Sequence, residues 1–167
     1  KIVMCHGVFD ILHYGHITHF QQAKRNGDIL VVSLTDNTFV NKGPDRPLFD
    51  VFIRAKSLLA LELVDYVIIS KDFDCINTLK KIKPNFFVKD IEYSNKYHPS
   101  KNTFEKEKKF IKKINCKLIY TNQKKLSSSE IIKSKFKGLN EKTQQYLNNL
   151  NKKFSYNYIE KKILALK

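Results

Sequence analysis

Five short apolar runs punctuate the first 121 residues: Ile2–Cys5, Ile29–Leu34, Val64–Ser70, Asn85–Lys89 and Lys117–Thr121. Val, Ile and Phe dominate them, and apolar residues follow one another rather than alternating with polar ones. Strands covered on both faces of a parallel sheet read this way, because neither face meets water. Helical periods fall between the runs. His16–Asn26 sets Ile17, Phe20 and Ala23 on one side. Asp50–Leu63 aligns Val51, Phe52, Ala55, Leu58 and Leu59 in a stripe suited to a core. Asp74–Ile82, Thr103–Ile114 and Ser127–Phe136 continue the series. The alternation predicts an α/β fold, a Rossmann-like doubly wound five-stranded parallel sheet.

The pattern changes at Gly138, which can end a helix, and Asn140 can cap a new one. Glu141–Asn151 then carries Tyr146, Leu147 and Leu150, and a second short helix from Ser155 carries Tyr158, Ile159 and Ile163. The expected organisation is one domain over 1–137 and a C-terminal helical extension over 138–167. The extension could pack on the domain, cover a partner subunit or lead into a further domain.

Composition narrows the class. With 167 residues, 42% hydrophobic and 28% charged, the chain can bury a core without disulfides or metal staples. No apolar run reaches the ~18 residues of a membrane span, and Lys1–Cys5 is too short for a secretory h-region. Cys5, Cys75 and Cys116 are scattered, without Cys-x-x-Cys spacing. They read as buried thiols in a reducing compartment, so a cytoplasmic location is expected, with no membrane partner.

The net charge of +15 first suggests a nucleic-acid partner. Its distribution weakens that reading. Residues 1–100 hold 13 Lys+Arg against 11 Asp+Glu, whereas residues 101–167 hold 18 against 5. Arg, the residue suited to base edges and bidentate phosphate contacts, stands only at positions 25, 46 and 54. A solvated lysine face is expected rather than a nucleic-acid surface. A non-catalytic basic nucleic-acid-binding module remains the alternative of another class.

The chemistry lies in Gly7-Val8-Phe9-Asp10-Ile11-Leu12-His13-Tyr14-Gly15-His16. The segment leaves the first strand and opens the first helix, where open α/β sheets bind ligands. Gly7 and Gly15 let backbone approach a ligand, and a helix N-terminus offers N–H groups and a positive dipole end to phosphate. His13 and His16 are three residues apart, so two imidazoles can meet the same phosphoryl oxygens.

This segment resembles the hallmark of the cytidylyltransferase-like nucleotidyltransferases: Gly-x-Phe-Asp running into His-x-Gly-His. Further matches follow in the family's order. They are Lys42-Gly43-Pro44-Asp45-Arg46-Pro47, typical of the heptose adenylyltransferase branch, and Arg54 in the helix leading to Val64-Asp65-Tyr66-Val67. Lys83-Pro84-Asn85 before Phe87-Val88-Lys89 and the run Leu126-Ser127-Ser128-Ser129 complete the set. The resemblance implies that a nucleoside triphosphate and a phosphomonoester give a nucleoside-diphosphate-linked product and pyrophosphate. It assigns His13, His16 and Lys42 to the reacting phosphates. It assigns Gly7, Val8, Phe9, Gly15, Ser127, Ser128 and Ser129 to nucleotide binding. Asp10, Arg46, Arg54 and Lys89 fall to the substrate; Asp10 could instead cap locally, Arg46 could equally be an exposed side chain, and Arg54 could be an ordinary ion-pair residue.

Transfer of CMP from CTP to a sugar or polyol phosphate is the favoured expectation, for bacterial capsule or other surface-glycan synthesis. ATP with a heptose or other sugar phosphate is the alternative. Mg²⁺ is expected to arrive with the nucleotide rather than in a protein cage. A homodimer is expected, because several relatives pair around the first motif and the Arg54 helix. Two departures bear on specificity: Asn122-Gln123-Lys124-Lys125 replaces an Arg-containing run, and Lys89-Asp90-Ile91-Glu92-Tyr93 lacks a Gly found in the heptose-type branch. A fragment related to aminoacyl-tRNA synthetases fits less well, since Leu126–Ser129 only partly echoes the Lys-Met-Ser-Lys-Ser loop.

Overall fold

The computed structural model of the chain, which describes residues 1–41, 46–95 and 101–122, gathers all five expected strands into one parallel sheet. They are β1 (Ile2–Gly7), β2 (Ile29–Thr35), β3 (Tyr66–Ser70), β4 (Phe86–Asp90) and β5 (Lys117–Thr121). Their order is β3-β2-β1-β4-β5. The chain therefore steps outward from β1 to β2 and β3, then returns across β1 to build β4 and β5. Cys5 lies opposite both Val32 and Val88, so β1 is central. The reversal between β1 and β4 makes the switch point at which such sheets hold ligands.

Alternation along β1 explains why its run is continuously apolar. Val3 and Cys5 enter one core with Phe20 and Ala23 of α1 (Tyr14–Lys24) and Val51 and Leu58 of α2 (Val51–Leu59). Met4 enters the other core with Leu79 of α3 (Ile76–Ile82) and Phe104 and Ile111 of α4 (Lys101–Lys113). Side chains alternate across a strand, so burial on both faces removes any need for polar positions.

The second helix departs from its expected stripe. It ends at Leu59 rather than Leu63, and Asp50 caps its start by accepting from Phe52 N at 2.8 Å. Val51, Arg54 and Leu58 face the sheet, whereas Phe52 and Leu59 are 67% and 54% exposed. Each residue turns the helix by about 100°, so the 52/59 pair cannot share the face of 51/58. The core face carries a charged residue, Arg54, at its middle position. The described residues lie within the compact unit Lys1–Leu126. The expected helix over 127–136 and the division at 137/138 fall outside the described residues.

Candidate active site

The segment joining β1 to α1 is held by its own aromatic residue. Phe9 adopts φ 45°, in the left-handed region, which costs an L-residue roughly 1–2 kcal/mol. Packing holds it there: its ring is buried, 5.1 Å from Phe20 and 5.2 Å edge-on from His16. The same ring explains Gly7. A Cβ at that position would stand 3.0 Å from two Phe9 ring carbons, closer than ordinary van der Waals contact.

His13 begins α1 with extended backbone, and its carbonyl accepts from His16 N at 2.8 Å and Ile17 N at 3.2 Å. The three-residue spacing sets the His13 and His16 rings in a stack, 3.8 Å between centroids and 22° between planes. Gly15 is buried beside them, and no acidic residue occupies the first turn of α1. Two imidazoles, backbone N–H groups and the positive end of a helix dipole thus converge at the strand ends. That is a place for phosphoryl oxygens, whose growing charge such preorganised donors stabilise.

Asp10 holds a neighbouring loop. Its carboxylate accepts from Leu48 N at 2.9 Å and Phe49 N at 3.0 Å, and Arg46 Nε lies 2.9 Å from Oδ2. The structure thus pairs Arg46 with Asp10 and packs residues 46–49 against the first motif. Arg54, 1% exposed, donates five hydrogen bonds. Nε reaches Phe49 O at 2.9 Å, Nη1 reaches Val8 O at 2.7 Å and Thr35 O at 3.0 Å, and Nη2 reaches Thr35 O at 3.0 Å and Asn37 Oδ1 at 2.6 Å. It ties Val8 and the loop before α2 to the end of β2, and it does not line the cleft. Lys42 and Ser127, Ser128 and Ser129 lie outside the described residues.

A cleft of about 340 Å³ opens at the switch point. Gly7 and Val8 border it beside His6 and Thr35, and Lys89 and Glu107 stand in its wall. Phe39 and Phe73, 5.1 Å apart and edge-to-face, form its apolar side with Tyr93 and Phe104. Lys89 and Glu107 are 3% and 2% exposed, with Nζ and Oε2 3.3 Å apart. Burial alone would lower the Lys89 pKa, but Glu107, with Tyr93 and Cys75, raises it above the usual value. The family resemblance assigns Lys89 to the substrate, whereas Glu107, in a lysine-rich helix, carries no such signal in the sequence.

Two further histidines, His6 at the cleft and His19 on α1, are held toward the neutral form by burial. His6 Nδ1 is 3.0 Å from Ser33 Oγ, and burial, reinforced by Lys89, holds its pKa well below the usual value, against the opposing effect of a hydrogen bond with the Ser33 backbone. His19 Nδ1 is 2.6 Å from Thr121 Oγ1. Burial lowers its pKa to about 4; Asp90 opposes the shift and Lys89 adds to it. Both folded values lie below that of an unfolded histidine, so stability is fully present above pH ~6.5 and falls as the unfolded chain takes up protons. For His19 the loss approaches about 1.4 kcal/mol per pH unit between pH ~6.5 and its folded value of about 4, and His6 adds to it in the same direction. Urea unfolding across that range measures the loss, and His19→Gln should reduce its slope. An unfolding midpoint that does not move would contradict it.

The expected Mg²⁺ finds no cage among the described residues. The cluster closest to a ligand set, His6, Cys75 and Glu107, brings three potential ligand atoms within 4.8 Å of one another. A thiol and an imidazole suit a soft or borderline metal rather than a hard one, and Lys89 already faces the carboxylate.

The family model described as cytidylyltransferase-like matches residues 4–134, which include this loop, both histidines and the switch-point strands. The chain belongs to the cytidylyltransferase-like family. Over 97 residues this cytidylyltransferase-like chain is 43% identical to the bifunctional protein HldE of Campylobacter fetus subsp. fetus, covering 57% of the chain and 21% of that protein. The HldE protein of Nitratiruptor sp. is 42% identical over 98 residues, 58% of the chain and 21% of the relative. The chain therefore spans about a fifth of the length of these curated relatives.

Among solved structures, a lipopolysaccharide core biosynthesis protein from Thermoplasma volcanium superposes with a TM-score of 0.57 and 28% identity. It covers 75% of this chain and 98% of that one. A pantoate-beta-alanine ligase from Francisella tularensis shares the fold, with a TM-score of 0.53 and 17% identity over 80% of this chain and 68% of that one. Among the described residues no helix is long and apolar enough to cross a membrane.

Proposed function

We propose that the chain transfers a nucleoside monophosphate from a nucleoside triphosphate to a phosphorylated sugar or polyol, releasing pyrophosphate. A phosphate oxygen of the acceptor bonds to the α-phosphorus, and the α–β bridging bond breaks in line. The observation that carries this reading is the stacked His13–His16 pair at the start of α1, reached from β1 by the loop whose Gly7 and Val8 border the switch-point cleft. The imidazoles stabilise charge on the α-phosphoryl oxygens, and the protein otherwise contributes position. Lys42 and the serines 127–129 complete the phosphate contacts in this proposal, with Mg²⁺ entering on the nucleotide. Once bound, the ion neutralises triphosphate charge.

ATP is the favoured nucleotide. The Lys42–Pro47 loop resembles that of the heptose adenylyltransferase branch, and the similarity to HldE proteins supports the same choice over the CTP expected from the sequence. The product would serve surface-glycan assembly in the cytoplasm, a context supported by the lipopolysaccharide-related neighbour. Pyrophosphate release with each of four NTPs and a panel of sugar and polyol phosphates tests the reading. No release with any pair would defeat it, and release with CTP alone would restore the cytidylyl choice.

A homodimer is part of the proposal. Leu48, Phe49, Phe52, Ile53 and Leu59 expose apolar side chains on and just before α2, a patch suited to a two-fold contact. Sedimentation at micromolar concentration should give a mass near twice 19.6 kDa. A value near the single-chain mass would exclude the pair.

A further inference from the structure

Glu107 is a carboxylate in a core position. It sits on α4 between Phe104 and Ile111, at helical spacings that place all three on the buried face. Its Oε1 accepts from Cys75 N at 3.3 Å and from the Cys75 thiol at 3.2 Å, and its Oε2 faces Lys89 Nζ. The Lys89 ammonium also rests 4.6 Å above the Tyr93 ring. A buried ion pair of this kind is poor value as a stability device, since well-packed apolar residues of similar volume often serve the fold as well or better. This one stands in the wall of a ligand-sized cleft, which gives it something to recognise.

The charges cancel, and that decides the class of group bound. A phosphate would gain from the ammonium and lose against the carboxylate 3.3 Å away. A hydroxyl meets both partners well, because its O–H donates to the carboxylate and its oxygen accepts from the ammonium. An ammonium has three protons to donate and a carboxylate about four lone-pair sites, so the contacts already made leave capacity on both. The aromatic side of the cleft suits the C–H faces of a carbohydrate.

We propose that the Lys89–Glu107 pair selects the acceptor by hydrogen-bonding adjacent hydroxyls of a sugar or polyol phosphate, while the acceptor's phosphate lies toward the Gly7–His16 loop. The inference rests on the nucleotidyl-transfer reading for what the bound molecule then does, but not for the selection itself. Glu107 is thereby a specificity-determining residue, and Lys89 reads hydroxyls rather than phosphate charge.

Direct binding tests it. Isothermal titration of the whole chain compares glycerol 3-phosphate, ribose 5-phosphate, a hexose 1-phosphate and a heptose 1-phosphate with propyl phosphate, which has the phosphate but no hydroxyl. At least one hydroxylated ligand should bind about 10²-fold or more tightly than propyl phosphate, because a site built to pair hydroxyls is left unpaired by an analogue lacking them. Glu107→Gln should erase that preference while nucleotide affinity stays within twofold. The double variant Lys89→Met/Glu107→Leu, which keeps the packing, should fold and lose the preference too. Equal binding of propyl phosphate and the hydroxylated ligands, no binding of any acceptor, or a preference that survives the double variant would each overturn the proposal. Selective binding without pyrophosphate release would instead leave the selection standing and defeat the transfer reading.

Discussion

Replacing His16 with alanine is expected to lower kcat by about 10²–10³-fold, the usual effect of removing one preorganised donor from developing charge. The imidazole sits at the first turn of α1, stacked on His13 and edge-on to Phe9. His13 remains in the variant but loses the ring that fixes its orientation, so it cannot take over both roles. The loss should fall mainly on kcat rather than on KM for the nucleotide, because the donor matters most once charge moves onto the phosphoryl oxygens. His16 is only half-buried, and the circular-dichroism melting curve should shift little. Pyrophosphate release and nucleotide titration on the same preparation separate the two effects. A variant with near-wild-type kcat would remove His16 from the reaction.

Arg54→Met is expected to cost about 3–5 kcal/mol of folding stability, the scale seen when one member of a buried charged network is removed. Methionine fills similar volume but leaves the carbonyls of Val8, Thr35 and Phe49 without these donors inside the protein. Lysine should rescue little, since a single ammonium cannot reproduce a planar fork that reaches four residues at once. Urea unfolding measures the loss. Activity surviving in the fraction that folds would agree with a residue that positions Val8 and the Phe49 loop. Unchanged stability would contradict the geometry.

Burial on both faces made the strands legible, since continuous runs such as Ile2–Cys5 and Ile29–Leu34 have one physical explanation. The Gly7–His16 loop stands out as a candidate because glycines, histidines and position in the fold agree. Arg54 and Glu107 were harder, for a shared reason. Val51, Arg54 and Leu58 form one buried helical stripe, and Phe104, Glu107 and Ile111 form another, each with a charge in the middle. A charge at that position in a lysine-rich helix such as Lys101–Lys113 reads as solvated unless its apolar neighbours three and four residues away are weighed first. Their partners, Thr35 and Val8 for Arg54 and Lys89 and Cys75 for Glu107, are far away in sequence, so no local pattern names them. The outward turn of Phe52 was missed because Arg54 takes the place in the core that an apolar reading gives to its neighbour.

Phe9 joins two things that enzymes often keep apart. Its ring is a core contact of Phe20 and also a wall beside His16, so the Gly7–His16 loop has no hinge between itself and the protein interior. Local opening would expose an aromatic side chain and release a backbone conformation that only packing sustains. On heating, the loop should therefore keep its geometry until the whole domain gives way. The temperature at which catalysis fails and the temperature at which the fold melts become a single temperature.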